Sequence, residues 1–427
     1  MFANTANAWW PGAAGEPDLS FGESGKAAVI MHGVDSCQVN GLALCPDGGL
    51  LVAAKVYRGR RTGLGLARLD AKGSLDQRFG RSGAVVDCFE GQGDAMADKV
   101  IQLPDGRILL VGLHYECRHQ LLPALAMFHP DGQLDPGFGD AGKQVVRLPG
   151  GLSSGTRDTW LPPGIPGAEA CAACVQPDGR ILLVANHSFE LANHTGLLIR
   201  LEPDGRLDTT FNGRGFVMVR RLLLSTWLSS VHLQSDGAIV VAGSIDFPQQ
   251  ALLARYRADG SLDETFAEQG FARISAQGRN AHFSQVIQCR DGRLHGVGSS
   301  REPIHAMALA VDADGEGDPA FNHGQPSLTA IADSPCQWQA VAEQGDGKLV
   351  MAGATIGGFT ADFVVARHLP DGSPDPTFAS GRGWVRTRLG RSVDTATALV
   401  LQPDGKILLA GHGRDGAFRG VVTRYHG

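Results

Sequence analysis

The chain has 427 residues, of which 43% are hydrophobic and 19% are charged, with a formal net charge of −6. This composition excludes the low-hydrophobicity, high-charge pattern of disordered proteins, and the negative charge argues against a nucleic-acid partner. Glycine is over-represented, with 58 residues. Because no Gly-X-Y period is present, the excess indicates many turns and therefore many short strands.

The first 17 residues contain no Lys or Arg and no apolar run of signal-peptide length. No stretch has the length and hydropathy of a transmembrane helix, and eight scattered cysteines do not form a disulfide pattern. We therefore expect a monomeric cytoplasmic protein with reduced thiols, with export lacking an N-terminal signal as the alternative. One short basic cluster, Lys55 with Arg58, Arg60 and Arg61, is interpreted as a solvated loop.

A first motif consists of an apolar strand, a turn ending in Asp-Gly, and a second apolar strand, as in QPDGRILLVA and QPDGKILLAG. Asp-Gly supplies the positive φ that tight turns require. The motif recurs seven times, and five of its six steps are 55 to 58 residues long. Its aspartates are Asp47, Asp105, Asp178, Asp236, Asp291, Asp346 and Asp404.

A second motif, Asp-Gly-x-Leu-Asp-x-x-Phe followed by Gly, lies between successive copies of the first. Each of its phenylalanines has an Asp three residues before it. The phenylalanines are Phe21, Phe79, Phe138, Phe211, Phe266, Phe321 and Phe378. The aspartates are Asp18, Asp76, Asp135, Asp208, Asp263, Asp318 and Asp375.

In chain order, the first predicted strand is Lys26–Ile30 and the last is Val421–Tyr425, the third strand of an incomplete final repeat. A complete repeat reads as four strands; in the third repeat these are 170–176, 180–185, 196–201 and 215–220. Seven such repeats predict an all-β, seven-bladed β-propeller with four antiparallel strands per blade. The N-terminal strand is expected to complete the last blade and so to close the ring.

The two linked motifs resemble the delta-60 repeat, a bacterial β-propeller repeat family, over about residues 17–425. The resemblance implies the propeller fold and no catalytic residues. Repeat five departs most, since GEGDPAF stands where other repeats have GSLDxxF. The predicted organisation is an N-terminal tail (1–16) and one propeller (17–427). Its last blade is 396–427 with 17–31, and an insertion (148–169) separates blades two and three.

Both Asp-Gly turns of each repeat fall on one face, which we interpret as architectural. The opposite face carries the loops that differ between blades, and such loops usually hold function. Candidate binding residues of the insertion are Arg157, Asp158 and Trp160. A second candidate set, expected at the start of each first strand around the channel mouth, is Asn40, Asp98, Cys171, Ser229, Ser284, Gln339 and Thr397, with a solvated strand end as the alternative.

Imidazoles and carboxylates concentrate in the loops between strands two and three of blades two and three. Neighbouring loops with these groups could form a zinc site or an acid/base pair, or could simply pack as polar loops. The candidate residues are His114, Glu116, Cys117 and His119 in blade two and His187, Glu190 and His194 in blade three.

A smaller cluster in blade five could bind an anion or form a surface salt-bridge patch. It consists of Arg279, Asn280, His282, Arg301, Glu302 and His305.

Weaker signals are interpreted as structural. The sequence Asp312-x-Asp314-Gly-x-x-Asp318 resembles part of a calcium loop but repeats a turn found in other blades. Cys171 and Cys174 should point to opposite faces of a strand, and Ser229, Ser230 and His232 lack a nucleophile elbow. A column of strand-three arginines is expected to pair with the repeat aspartates: Arg68, Arg200, Arg255, Arg367 and Arg424.

Three functions are considered. The first is a non-catalytic binding module that presents its variable loops to a protein or glycan, without a cofactor. The second is a hydrolase or lyase that uses the His/Glu loops, with zinc or calcium as a possible metal. The third is a quinone- or metal-dependent oxidoreductase, because some propellers have that activity.

Overall fold

Twenty-eight strands form seven four-stranded antiparallel sheets in the computed structural model of the protein. The structure describes residues 12–117, 120–149, 171–190, 193–221, 224–246, 249–357, 360–390 and 393–427. In six blades the strands are ordered as they occur in the chain, and in the seventh the first strand of the chain follows the last. The predicted all-β, seven-bladed propeller is confirmed.

The strands are short, as the glycine content predicted. Blade one contains β2 (Ser36–Leu44), β3 (Leu50–Arg58), β4 (Arg61–Leu69) and β5 (Ala84–Asp87); blade two contains β6 (Asp94–Gln102), β7 (Ile108–Cys117), β8 (Gln120–Phe128) and β9 (Lys143–Val145). Blade three contains β10 (Ala172–Val175), β11 (Ile181–Glu190), β12 (Asn193–Leu201) and β13 (Phe216–Val219).

The remaining blades follow the same order. Blade four contains β14 (Thr226–Leu233), β15 (Ile239–Ile245), β16 (Gln250–Tyr256) and β17 (Phe271–Ile274); blade five contains β18 (Ala281–Gln288), β19 (Leu294–Ser300), β20 (His305–Val311) and β21 (Ser327–Thr329). Blade six contains β22 (Cys336–Glu343), β23 (Leu349–Thr355), β24 (Phe363–His368) and β25 (Trp384–Thr387). Two 3₁₀ turns span Phe211–Gly213 and Asn322–Gly324.

Blade seven joins the two ends of the chain. It contains β26 (Val393–Leu401), β27 (Ile407–Asp415), β28 (Ala417–Tyr425) and β1 (Lys26–Val29), and β1 pairs with β28 in the register Lys26↔Thr423. Part of the predicted tail also contacts the C-terminus, because the Gly15 N–H donates to the His426 carbonyl at 2.8 Å. The N-terminal strand therefore closes the ring as predicted and leaves no open sheet edge between blades.

The hydrophobic core is divided among seven clusters, each lying between two neighbouring sheets. The middle strands are buried on both faces; in β3, for example, Leu50 to Val56 are all buried. This arrangement explains the continuous Val, Ile and Leu runs of the sequence, because a strand packed on both sides does not alternate with polar residues.

Each blade carries an Asp–Arg pair beside the repeat phenylalanine. Arg200 donates to Asp208 at 2.6 Å, and its guanidinium carbon lies 4.5 Å from the centre of the Phe211 ring. The predicted arginine column is confirmed, since Arg68, Arg255, Arg367 and Arg424 also form ion pairs with the aspartates of their repeats.

Two blades have no arginine in this column, and another arginine takes its place. Met127 and Ala310 occupy the column in blades two and five. Arg107 pairs with Asp135 at 3.1 Å, and Arg293 pairs with Asp318 at 2.6 Å. Both replacements follow an Asp-Gly turn, so the aspartate is paired in every blade although the source of its partner changes.

The repeat phenylalanine also joins each blade to the next. Phe321 is fully buried, and a Cβ added at Gly372 of the following blade would lie 2.9 Å from its ring. Gly372 has a φ of +83°, which an L side chain rarely adopts. The same contact recurs between Phe21 and Gly73 and between Phe211 and Gly260. This face, which carries the Asp-Gly turns of the two repeated motifs, is called the turn face below.

No helix in the described part of the chain has the length and apolar character needed to cross a membrane.

Candidate functional site on the loop face

The face opposite the turn face, called the loop face, carries the strand two-to-three hairpins and the connections between blades. The hairpins are of two kinds. In blades seven, one, two and three, both strands have nine or ten residues, and in blades seven and one they stay paired to a tight turn. In blades four, five and six the strands have six or seven residues, and pairing stops before the loop.

Sequence explains the two kinds of hairpin. The hairpins of blades one and seven turn at Gly59 and Gly416, whose φ angles are +56° and +74°. The loop of blade five contains Pro303, which has no N–H to donate to the ladder. We call the hairpins of blades seven, one, two and three the extended hairpins. Their additional two residues per strand add about 7 Å of rigid ladder on one half of the loop face.

Four side chains converge between blades one and two. Arg147 donates from one nitrogen to Glu90 and, at 2.9 Å, to Glu116. His114 Nε2 lies 3.7 Å from a Glu90 oxygen, and the His114 side chain is 7% exposed. Burial lowers the pKa of His114, against the opposing effect of Glu90 and Glu116.

Glu90, His114 and Glu116 are the only three potential metal ligands in the described ranges whose ligand atoms all lie within 4.8 Å of one another. The structure thus brings the predicted His114 and Glu116 together. Arg147 binds both carboxylates, so their charge is already neutralised by a guanidinium. A zinc or calcium ion here would have to displace Arg147, and the arrangement itself is that of an ion-pair network.

Sequence reasoning missed Glu90 and Arg147. Glu90 lies in the connection from β5 to β6, and Arg147 follows β9. The two residues belong to different repeats and to no repeated motif, so only the packing of neighbouring blades brings them together. Gly93 makes this packing possible, because a Cβ there would lie 2.5 Å from His114 Cε1.

The candidate residues of blade three do not join this cluster. His187 pairs with Thr195 in the ladder of β11 and β12, and both residues are buried. His194 stacks against Trp227 of blade four, with ring centres 4.1 Å apart. Glu190 is at the end of β11, and its side chain lies outside the described part, as do Cys117 and His119.

The candidate ring residues occupy the middle of the inner strands rather than their starts, which corrects the predicted position. Each interrupts the pairing of its strand with the next one, as a β-bulge does. These interruptions fall at Asn40, Asp98, Ser229, Ser284, Gln339 and Thr397, in six of the seven inner strands. Blade three differs, because β10 begins after Cys171.

Several of these side chains contact the backbone of the following blade. Asn40 Nδ2 donates to the Ala97 carbonyl at 2.9 Å, and Ser229 Oγ donates to the Phe283 carbonyl at 2.6 Å. Thr397 Oγ1 donates to the Val39 carbonyl at 3.0 Å, and the Cys171 N–H donates to Asp98 at 3.2 Å. The innermost strand of each blade has no strand beside it on the channel side. These hydrogen bonds pair some of the backbone carbonyl and N–H groups that would otherwise lack a partner at that edge.

The blade-five cluster is mainly structural. The Arg301 N–H donates to the Asn280 carbonyl at 2.8 Å. His282 is buried, Ser299 lies 3.4 Å from its Nδ1, and burial lowers its pKa to about 4. His305 contacts the Pro303 carbonyl, while Arg279 and Glu302 form no ion pair with a described residue.

Other signals have structural partners. Asp312 accepts N–H bonds from Asp314 and Glu316, as a turn aspartate does. His232 Nε2 accepts the Gln288 N–H of the next blade. Cys171 and Cys174 are free thiols, and burial raises the pKa of Cys174 to about 12. Arg157, Asp158 and Trp160 lie outside the described residues, so the insertion stays a prediction.

Comparisons with known proteins agree on the fold. Residues 45–79, 103–138, 176–211, 234–266 and 344–378 match a family described as "Domain of unknown function (DUF5122) beta-propeller". The chain therefore carries repeats of a β-propeller repeat family. No curated protein matches the chain.

Two solved structures span nearly the whole chain. A protein of unknown function from Dyadobacter fermentans is 10% identical with a TM-score of 0.51, covering 94% of this chain and 97% of that one. The polysaccharide lyase Uly1 is 12% identical with a TM-score of 0.48, covering 95% and 93%. At these identities the likeness concerns the fold alone.

Proposed function

We propose that this protein is a non-catalytic binding module, built from repeats of the delta-60 type, whose extended hairpins hold a protein or glycan partner. The observation that supports the proposal is the confinement of long hairpins, with strands of nine or ten residues, to four consecutive blades. The turn face has an aspartate–arginine ion pair in all seven blades, so the requirements of the fold do not explain why the hairpins of the loop face differ in length. Rigid elements of this kind position binding groups well.

The alternative, a hydrolase or lyase working at His114 and Glu116, receives less support from the geometry. A general base needs access to substrate, and the His114 side chain is 93% buried, while Arg147 holds both carboxylates. Replacing His114 with Gln should leave partner binding unchanged. A specific activity that disappears in this variant would favour the enzyme.

Shortening the hairpins tests the proposal. Residues 57–62 can be replaced by Asn-Gly, because the flanking pair Val56↔Gly63 then closes a two-residue turn. The matched control replaces residues 246–249 with Asn-Gly, next to the pair Ile245↔Gln250 of blade four. The readout is binding to a glycan array and to a panel of purified proteins.

We expect the blade-one variant to lose ligands that the native protein and the blade-four variant both bind. Far-ultraviolet circular dichroism and the melting temperature establish that both variants are folded. Equal binding by all three proteins would contradict the proposal, as would a loss confined to the blade-four variant.

A further inference from the structure

The extended hairpins of blades one and seven carry an unusual concentration of positive charge. Residues 57–62 and 413–419 together contain five arginines and one acidic residue, Asp415, in a chain whose net charge is −6. All five arginines are exposed. We call Arg58, Arg60, Arg61, Arg414 and Arg419 the arginine patch.

The patch is held on a fixed support. Tyr57 of blade one stacks on Phe418 of blade seven, with ring centres 5.4 Å apart and planes 18° apart. The Arg414 guanidinium lies 5.3 Å from the Phe418 ring, and Arg58 Nε donates to the Gly33 carbonyl at 2.8 Å. These contacts join the two hairpin tips and restrict two of the five arginines, Arg58 and Arg414.

None of the five arginines forms an ion pair with a described residue, whereas arginines of the turn face are paired in every blade. Two carboxylates are bonded to these tips, and both accept backbone N–H groups rather than arginine side chains: Asp35 accepts from Gly59 at 2.6 Å and Asp94 accepts from Thr62 at 2.8 Å. The sequence assigned Lys55 to the same solvated cluster, but Lys55 is buried and contacts the Tyr115 hydroxyl at 3.0 Å. The charge of the patch is therefore available to an anion from outside the chain.

We infer that the arginine patch binds an acidic polysaccharide through its carboxylate or sulfate groups; this inference rests on the binding function proposed above. Guanidinium groups bind both anions with paired hydrogen bonds. An acidic polysaccharide offers these anions at regular spacing and needs no apolar contact from the protein.

Two other polyanions fit the patch less well. A protein interface needs an apolar centre of several side chains. Of the exposed large hydrophobic residues of the described chain, Leu19, Ile30 and Val393, none lies on these hairpins, and the one paired with a patch residue, Val393 opposite Arg414, is a single side chain. Single-stranded nucleic acid needs open aromatic faces on which bases stack. Tyr57 and Phe418 direct their faces towards each other.

Binding can be measured by calorimetry with heparin, which is sulfated, and polygalacturonate, which is carboxylated, in 0.1 M salt. Dextran is the neutral control, and poly-glutamate represents an acidic peptide. The test variant is the triple replacement Arg60→Gln, Arg414→Gln and Arg419→Gln. The matched control removes three exposed turn-face arginines, with Arg78→Gln, Arg206→Gln and Arg257→Gln, and so changes the net charge equally.

We expect the native protein and the turn-face variant to bind heparin or polygalacturonate with similar affinity. The patch variant should bind at least tenfold more weakly, since each exposed ion pair adds a modest amount. Absence of binding to both polysaccharides, or an equal loss in both variants, would overturn the inference. Tighter binding of poly-glutamate that the patch variant loses would also overturn it, while leaving the proposed binding function intact.

Discussion

The turn face and the loop face are built from the same strands, yet they differ in how polar groups are used. On the turn face every repeat aspartate has an arginine partner, and Asp375 and Asp208 are completely buried as side chains. On the loop face, hairpin length changes from blade to blade and the five arginines of the patch form no ion pair with the described residues.

This contrast separates stability from function. Polar groups that are buried and paired cannot be changed without leaving a charge unpaired, so the turn face is constrained by folding. The hairpin tips lie outside the core clusters and can vary without disturbing the sheets. We therefore expect large stability effects on the turn face and large binding effects on the loop face.

The largest stability effect is expected at Asp375. Burial acts to raise its pKa, but hydrogen bonds from Thr377 and Arg367 lower it to about 2. Asp375→Ala leaves the buried Arg367 guanidinium without its carboxylate partner and should cost about 4 kcal/mol of unfolding free energy. Denaturant unfolding measures this. The control is Asp404→Ala in an exposed turn, for which we expect about 1 kcal/mol; equal losses would break the comparison.

Acid should weaken the turn face before it affects the repeat aspartates. His295 and His368 lie at the turn-face ends of β19 and β24, and burial lowers the pKa of each to about 4. Below pH 6.5 the unfolded chain takes up protons that the folded chain does not. Stability is therefore complete above pH 6.5 and falls towards pH 4, by about 2 kcal/mol for each histidine at pH 5.

The pH dependence of unfolding in His368→Gln provides the measurement. This variant should show a slope smaller by one proton between pH 6 and 5, because one titrating group has been removed. The control is the same replacement at an exposed position of the turn face, His129→Gln. An unchanged slope in the His368 variant would contradict the claim that burial lowers the pKa of His368 in the folded protein.

A loss of stability smaller than that of Asp375→Ala is expected at the contact between Phe321 and Gly372 of neighbouring blades. Gly372→Ala combines an unfavourable φ with a close approach to Phe321 and should cost about 3 kcal/mol. Gly405→Ala isolates the first contribution, because its φ is +85° and no atom lies within 4 Å of the added Cβ. We expect about 1 kcal/mol there. Equal melting temperatures of the two variants would show that the phenylalanine contact is unimportant.

The smallest stability effect is expected for the arginine patch. The triple variant Arg60→Gln, Arg414→Gln and Arg419→Gln removes no ion pair with a described residue, so its unfolding free energy should change by less than about 0.5 kcal/mol. A thermal melt checks this. A loss of several kcal/mol would mean that the patch is structural and would remove the distinction between the two faces.

The propeller fold and the ion pairs of its turn face could be predicted from the sequence because most of their residues recur from repeat to repeat. Seven copies of two motifs were enough for the blade number, the closure by the N-terminal strand and the pairing of the arginine column with the aspartates. The replacement of that column by Arg107 and Arg293 could not be predicted, because these residues come from a different strand of the same blade.

The loop face was less predictable because it depends on contacts between blades. Glu90 and Arg147 belong to different repeats and meet only after the sheets pack. The prediction that Asn40 and its counterparts lie at the starts of the inner strands was wrong. A bulge in the middle of a strand is not marked by turn residues in the sequence, so the strand start could not be located from it. The basic cluster of blade one was interpreted without the arginines of the blade-seven hairpin. Only the stacking of Tyr57 on Phe418 shows that the two hairpins form one charged surface.

The most direct test of the account is hydrogen exchange of the native protein with and without polygalacturonate or heparin, whichever binds. The account predicts slower exchange of backbone amides in the hairpins of blades one and seven, around residues 55–64 and 411–421. It also predicts unchanged exchange in the Asp-Gly turns of the turn face and in the hairpins of blades four to six. Protection of the turn face, or of the short hairpins alone, would contradict it.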